Sequence, residues 1–149
     1  MNAIDQLMAI EAIRSLKARY FRCMDTKDWL AFEALFTPAA IFDMRQARGA
    51  DIDPAGFVQG ASCITAYVRK AVDRLVTVHH GHMPEIHIET ESFARGVWAM
   101  EDVLLVPEGV DMPFEQLRGY GHYHESYERI AGEWKIKTCR LTRLHVAAS

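Results

Sequence analysis

Cysteine is scarce and scattered in this chain: Cys23, Cys63 and Cys139 are odd in number, far apart and in no C-x-x-C arrangement. That pattern excludes a disulfide framework, gives no structural zinc signal, and fits a reducing, cytoplasmic setting. Surplus charge is missing too. Seventeen Lys and Arg against twenty Asp and Glu leave a formal net charge of −3, too balanced for an electrostatic grip on phosphates or anionic lipid. Neither nucleic acid nor a membrane is therefore an expected partner. No run approaches the roughly 20 apolar residues needed to cross a bilayer. The opening MNAIDQLMAIEAIR carries Asp5 and Glu11 within its apolar stretch and has no basic leader, so it reads as an amphipathic helix and not as a signal peptide. There is also no G-x-S-x-G elbow, phosphate-cradling glycine loop or dinucleotide fingerprint, and no cysteine in an activating context. Internal repeats, low-complexity tracts and interdomain linkers are absent as well, so residues 1–149 are expected to form one domain, and 50% hydrophobic content suffices for a core with an internal pocket.

What the chain does have is a change of period. Ile4, Leu7, Met8, Ile13, Leu16, Tyr20, Phe21 and Met24 recur at three- and four-residue steps, which predicts a helix over residues 3–24 with one apolar stripe. DTKDW supplies turn and cap residues for a shorter helix through Trp29, Phe32, Leu35 and Phe36, ended by Thr37-Pro38. AIFDMR reads as a strand and residues 46–60 as a long loop, a candidate lid; Ser62 can cap a third helix running to about Val72. From residue 76 the period becomes 2, and strands can be drawn over about 84–91, 94–106, 117–130 and 133–146. Ala131-Gly132 makes the last connection a tight hairpin, pairing Ile130 with Glu133, Arg129 with Trp134, Glu128 with Lys135 and Tyr127 with Ile136. In this register Glu128 and Lys135 form an exposed ion pair. Tyr123, Glu125, Thr138 and Arg140 share the apolar face, while His122, His124 and Cys139 face away unless a β-bulge intervenes. Three helices followed by a long, curved, antiparallel or mixed sheet make an α+β domain with helices on one sheet face and any pocket between the layers.

The chemistry on offer is proton transfer by carboxylate and imidazole. Seven histidines are present, four of them in residues 79–87. Asp25 sits where the first helix's apolar stripe runs out, and two readings stand: a cap at a helix junction, or a partly buried base tuned by a histidine partner. His80 and His82 have the spacing of a strand metal pair, but nothing upstream supplies a third ligand, so no metal is expected. His122 and His124 belong to an outer sheet face, a candidate subunit interface. Asp102 shares parity with Trp98, Met100 and Leu104 and is a candidate buried acid. Arg140, if it faces inward, can neutralise Glu125, and structural pairing accounts for both Asp102 and Arg140 without a catalytic role.

The segments ARYFRCMDTKDW, LFTPAAIFD, VHHGH and YERIAGEWKIK together resemble the SnoaL-like group of the NTF2-like superfamily, which includes scytalone dehydratase and hexachlorocyclohexane dehydrochlorinase. The resemblance covers nearly the whole chain. It implies a cone-shaped α+β fold, a deep apolar central pocket, and association as a homodimer or higher homo-oligomer through the outer sheet face. It also implies an Asp-His pair working without cofactor or metal, which falls on Asp25 and His79: the carboxylate orients the imidazole, which removes a proton from carbon while a leaving group departs from the neighbouring carbon. The two tyrosines that position substrate in scytalone dehydratase fall on Met24 and Met44, its second pocket histidine on Trp98, and a pocket asparagine on Tyr123, which implies a more apolar pocket and a substrate other than scytalone. The expected function is a lyase or isomerase acting on a small hydrophobic cyclic or aromatic compound. Tyr20, Met24, Met44, Trp98, Tyr123 and Glu125 are expected to shape the pocket, with Tyr123 or Glu125 as the inward electrophile. The alternative is a non-catalytic small-molecule-binding or dimerisation module on the same fold.

Overall fold

The first helix, α1 (Ala3–Asp25), starts where the Asn2 side chain accepts the Asp5 N–H and is roughly 34 Å long at about 1.5 Å per residue. It overshoots its partners. Ile4, Leu7 and Met8, which the periodicity places on the buried stripe, are exposed, and packing begins at Ala9 and Ile13. The computed structural model describes Met1–Ser149. A five-residue α2 (Trp29–Glu33), capped by Asp28, then gives way to β1 (Phe36–Asp43). Thr37-Pro38 thus lies inside a strand instead of ending a helix. Its proline is tolerated because the ladder to the neighbouring strand is irregular between Phe36 and Ile41.

The segment expected to be a free loop is pinned. Asp53 caps a 3₁₀ turn (Pro54–Gly56), the Met44 N–H donates to the Gly56 carbonyl at 2.8 Å, and β2 (Phe57–Gln59) pairs with β1. It therefore forms a wall and not a loose lid. Helix α3 (Ala61–Val72) is preceded by Gly60 and has no side-chain cap; Ser62 lies within it. Four long strands follow: β3 (Val76–Ile88), β4 (Phe93–Leu105), β5 (Gln116–Ile130) and β6 (Glu133–Ala148). The sheet order is β2-β1-β6-β5-β4-β3, antiparallel except for the parallel pair β1 and β6, so the sheet is mixed. The helices cover its inner face, and Tyr20, Phe32, Phe42, Ile64, Tyr127 and Ile136 are among the fully enclosed side chains between the layers.

The hairpin forms with the expected pairs, Ile130 with Glu133 through Tyr127 with Ile136. Then Ser126 pairs with Thr138, leaving Lys137 as an extra residue in β6. This bulge turns the β6 side chains from Thr138 to Arg143 over, up to a second irregularity at Leu144. Cys139 and Leu141 are buried inward and Arg140 is exposed, the reverse of the unbulged register. Glu128 pairs with Lys137 at 3.2 Å, not with Lys135, whose ammonium donates to the Ala34 carbonyl at 2.7 Å. Strand β3 begins eight residues earlier than the alternation in 84–91 suggests, because its inward positions Thr77 and His79 are polar and give no apolar signal.

Candidate active site

Asp25 is the last residue of α1. The helix stops there because Lys27 takes left-handed backbone (φ 61°), which turns the Lys27 N–H onto the Met24 carbonyl at 3.2 Å and the Asp28 N–H onto the Cys23 carbonyl at 2.8 Å. The Asp25 carboxylate then faces the first residues of β3. It accepts the Thr77 hydroxyl at 2.9 Å, the His79 backbone N–H at 2.9 Å and His79 Nδ1 at 2.7 Å. An ionised carboxylate only accepts, so Nδ1 carries a ring proton, and in the neutral imidazole the lone pair is then on Nε2. His79 is 8% exposed and its ring stacks on Phe21, with centroids 6.3 Å apart.

On the other side of the ring, His79 Nε2 lies 4.0 Å from Asp102 Oδ2. Asp102 is buried, as its parity with Trp98 and Met100 suggests, and it is held by Arg143 in a bidentate pair of 2.6 and 3.0 Å. Arg143 also donates to the Ala47 carbonyl at 2.9 Å, tying the pinned wall to the site. This pair depends on Gly119 across the strands: a Cβ there would stand 2.2 Å from Arg143 Nη1 and 2.5 Å from Asp102 Oδ1. Arg143 carries no inward signal in the alternation of its strand, because its direction follows from the bulge in β6.

These groups border a cavity of about 210 Å³ between α1, α3 and the inner sheet face. Tyr20, Met24, Met44, Tyr123, His79, Asp102 and Arg143 line it, and Arg48, Met112 and Phe114 contribute from the connections at its mouth. Trp98 and Glu125, both expected on the wall, are buried outside the lining. Glu125 instead takes the Lys17 ammonium at 2.5 Å and the Tyr127 hydroxyl at 2.5 Å, while Trp98 Nε1 donates to the Tyr127 oxygen at 2.8 Å. Lys17, not Arg140, is thus the counter-ion of Glu125. Its ammonium lies 3.8 Å from the ring centroids of both Tyr20 and Tyr123, a desolvated cation–π arrangement. The signal for Lys17 was present, since it lies between Ile13 and Tyr20 on the apolar stripe. Burial raises the pKa of Tyr20 and of Tyr123 well above the ordinary phenol value, so both keep their protons and remain donors.

His80 and His82 lie on the opposite sheet face, both exposed, 3.2 and 3.6 Å from Glu101, and no third ligand joins them. His124 also lies outward, bonded to Thr142 at 3.0 Å, and its ring is 6.3 Å from that of His122.

A curved mixed sheet covered by three helices around a small, largely apolar cavity is the architecture of the NTF2-like α+β cones. Within that class the chain belongs to the SnoaL-like domain family, whose model matches residues 5–140. The probable cyclase FGR4 of Gibberella zeae is 24% identical over 143 residues, covering 92% of each chain. Among solved structures, a hexachlorocyclohexane dehydrochlorinase (LinA) of type 2 superposes with a TM-score of 0.81 at 15% identity, over 99% of this chain and 93% of that one. A scytalone dehydratase-like protein from Novosphingobium aromaticivorans gives 0.82 at 16% identity, over 99% and 92%. At such identities these structures establish the shared fold.

Proposed function

We propose that the chain is a cofactor-independent lyase of the elimination type, or an isomerase, acting on a small, neutral, hydrophobic cyclic or aromatic compound. The observation that carries this reading is the 2.7 Å contact of His79 Nδ1 with Asp25 beside a largely apolar cavity that His79 lines. His79 is the general base and Asp25 its orienting partner. Nε2 takes a proton from a substrate carbon; the freed electron pair forms a double bond as a leaving group departs from the neighbouring carbon, or the imidazolium returns the proton to a different carbon. Such a base contributes roughly 10²- to 10⁴-fold. Positioning by the cavity walls and stabilisation of developing negative charge supply more. For that charge the protonated phenols of Tyr20 and Tyr123 are the available donors on the wall. Glu125 is committed to Lys17 and Tyr127 and has no part in this step.

Neutrality of the reacting part of the substrate follows from the charges around the imidazole. Asp25, Asp102 and Arg143 already satisfy one another or their neighbours, so a carboxylate beside His79 would meet no free buried cation, and Arg48, exposed at the mouth, is the lining cation left without an ion-pair partner. The names cyclase, dehydratase and dehydrochlorinase among the relatives are in keeping with carbon acid–base chemistry on a small molecule.

The test follows elimination and solvent proton exchange over a panel of cyclic hydroxy-ketones and halogenated rings. His79→Ala and Asp25→Asn should each lose at least about 10²-fold in rate relative to wild type. Equal rates in all three proteins would reject these roles, and rates at the uncatalysed background with ligand binding retained would favour the non-catalytic binding module.

A further inference from the structure

We propose that Lys27 is a positioning residue for the Asp25–His79 pair, acting through the hydroxyl of Thr77. The proposal rests on the reading of that pair as the reactive one. Lys27 Nζ lies 2.8 Å from Thr77 Oγ1, and Thr77 Oγ1 lies 2.9 Å from Asp25 Oδ1. An ammonium can only donate, so the Thr77 oxygen must accept from it, and the single hydroxyl proton is left to point at Asp25. The direction of every hydrogen bond in the chain Lys27, Thr77, Asp25, His79 is then set from the lysine end. That direction holds Asp25 as an acceptor toward Nδ1 and keeps the Nε2 lone pair on the cavity side.

The backbone supplies a second, independent observation. Lys27 follows the last turn of α1 with φ 61°, the left-handed position after a helix that glycine ordinarily occupies because a Cβ is disfavoured there. A lysine at this place works against the local backbone preference, and such positions concentrate where a side chain is needed for function. Here the side chain turns inward, half-buried, to Thr77. Burial lowers its proton affinity, opposed by the neighbouring Asp25 and Asp73.

The charged groups around the His79 ring are Asp25 from α1, Asp102 from β4 and Arg143 from β6, with Lys27 one hydroxyl removed. Arg143 is balanced by Asp102, which leaves Lys27 as the cation that offsets Asp25. Removing it favours the imidazolium, the form unable to act as a base.

The experiment compares Lys27→Gly, Lys27→Met and Lys27→Arg with wild type by thermal unfolding, by NMR titration of the His79 ring, and by the pH profile of turnover on the panel above. Lys27→Gly should unfold at the same Tm or a higher one, because the left-handed position is relieved. Both Lys27→Gly and Lys27→Met should lose about tenfold in kcat with little change in KM, the scale of one hydrogen bond to a charged group. In both, the acid limb of the profile and the ring titration should move to higher pH, and Lys27→Arg should restore both. Wild-type kcat, acid limb and ring titration in Lys27→Gly and Lys27→Met would overturn the proposal. The ring titration needs no substrate. Wild-type rates in His79→Ala together with a shifted ring in Lys27→Met would therefore sink the functional reading while leaving the Lys27 coupling intact.

Discussion

His79 and His80 are neighbours in the chain and opposites in the molecule. His79 points to the inner face, where its ring is gripped by Asp25 and approached by Asp102; His80 points outward, exposed, toward Glu101. The same division runs through the ion pairs of the sheet. On the inner face, Lys17 with Glu125 and Arg143 with Asp102 are buried pairs, and no buried side-chain nitrogen or oxygen lacks a partner. On the outer face, His80 and His82 share one carboxylate in water, where an ion pair contributes about 0 to 1 kcal/mol. Residue type and sequence proximity therefore say little about what a histidine does here. The strand's alternation, and the dielectric it delivers each side chain into, decide.

The sharpest way to break that comparison is at the buried pair beneath the cavity. Lys17→Met leaves the Glu125 carboxylate enclosed without its counter-ion, and urea denaturation should read a loss of about 3 to 5 kcal/mol. The double variant Lys17→Met with Glu125→Gln should recover a large part of it. A loss below about 1 kcal/mol for Lys17→Met would place the pair with the surface bridges.

A smaller effect comes from alkali. Burial raises Tyr20, Tyr123 and Tyr127 well above the usual phenol value, so the folded chain keeps protons that the unfolded chain releases near pH 10. The unfolded state then binds fewer protons than the native one, and stability falls as pH rises through that value. Each phenol adds a slope of up to about 1.4 kcal/mol per pH unit. Urea midpoints measured between about pH 8 and 11 should decline steeply at the upper end, and phenolate absorbance from these three residues should appear only with unfolding. A flat midpoint would mean that the inner face is open to solvent.

The smallest effect is expected outside. His80→Ala and His82→Ala should change stability by no more than about 0.5 kcal/mol and leave turnover at the wild-type rate. A loss of rate comparable to that of His79→Ala would erase the distinction between the faces.

Much of the architecture was legible beforehand. The α1 stripe from Ile13 to Met24, the hairpin at Ala131-Gly132 and its first four pairs, and the inward direction of Tyr123 and Asp102 all follow from period and turn chemistry. Three features of the site were not legible in this way. Arg143 reaches Asp102 only because Lys137 is bulged out of the β6 ladder, and a bulge has no period of its own. The inward polar positions of β3 hid its first half. The pairing of Lys17 with Glu125 spans 108 residues, a separation over which periodicity carries no information.

By itself the sequence determined the class of domain, the run of elements and the two residue types available for proton transfer, because hydrophobic periodicity and turn residues act over a few neighbouring positions. The family resemblance had already put His79 opposite Asp25; only the tertiary structure decided which cation neutralises which buried acid and which side chains reach the cavity. Those outcomes depend on registers and bulges between strands far apart in the chain, where a one-residue shift moves a side chain from water to the interior.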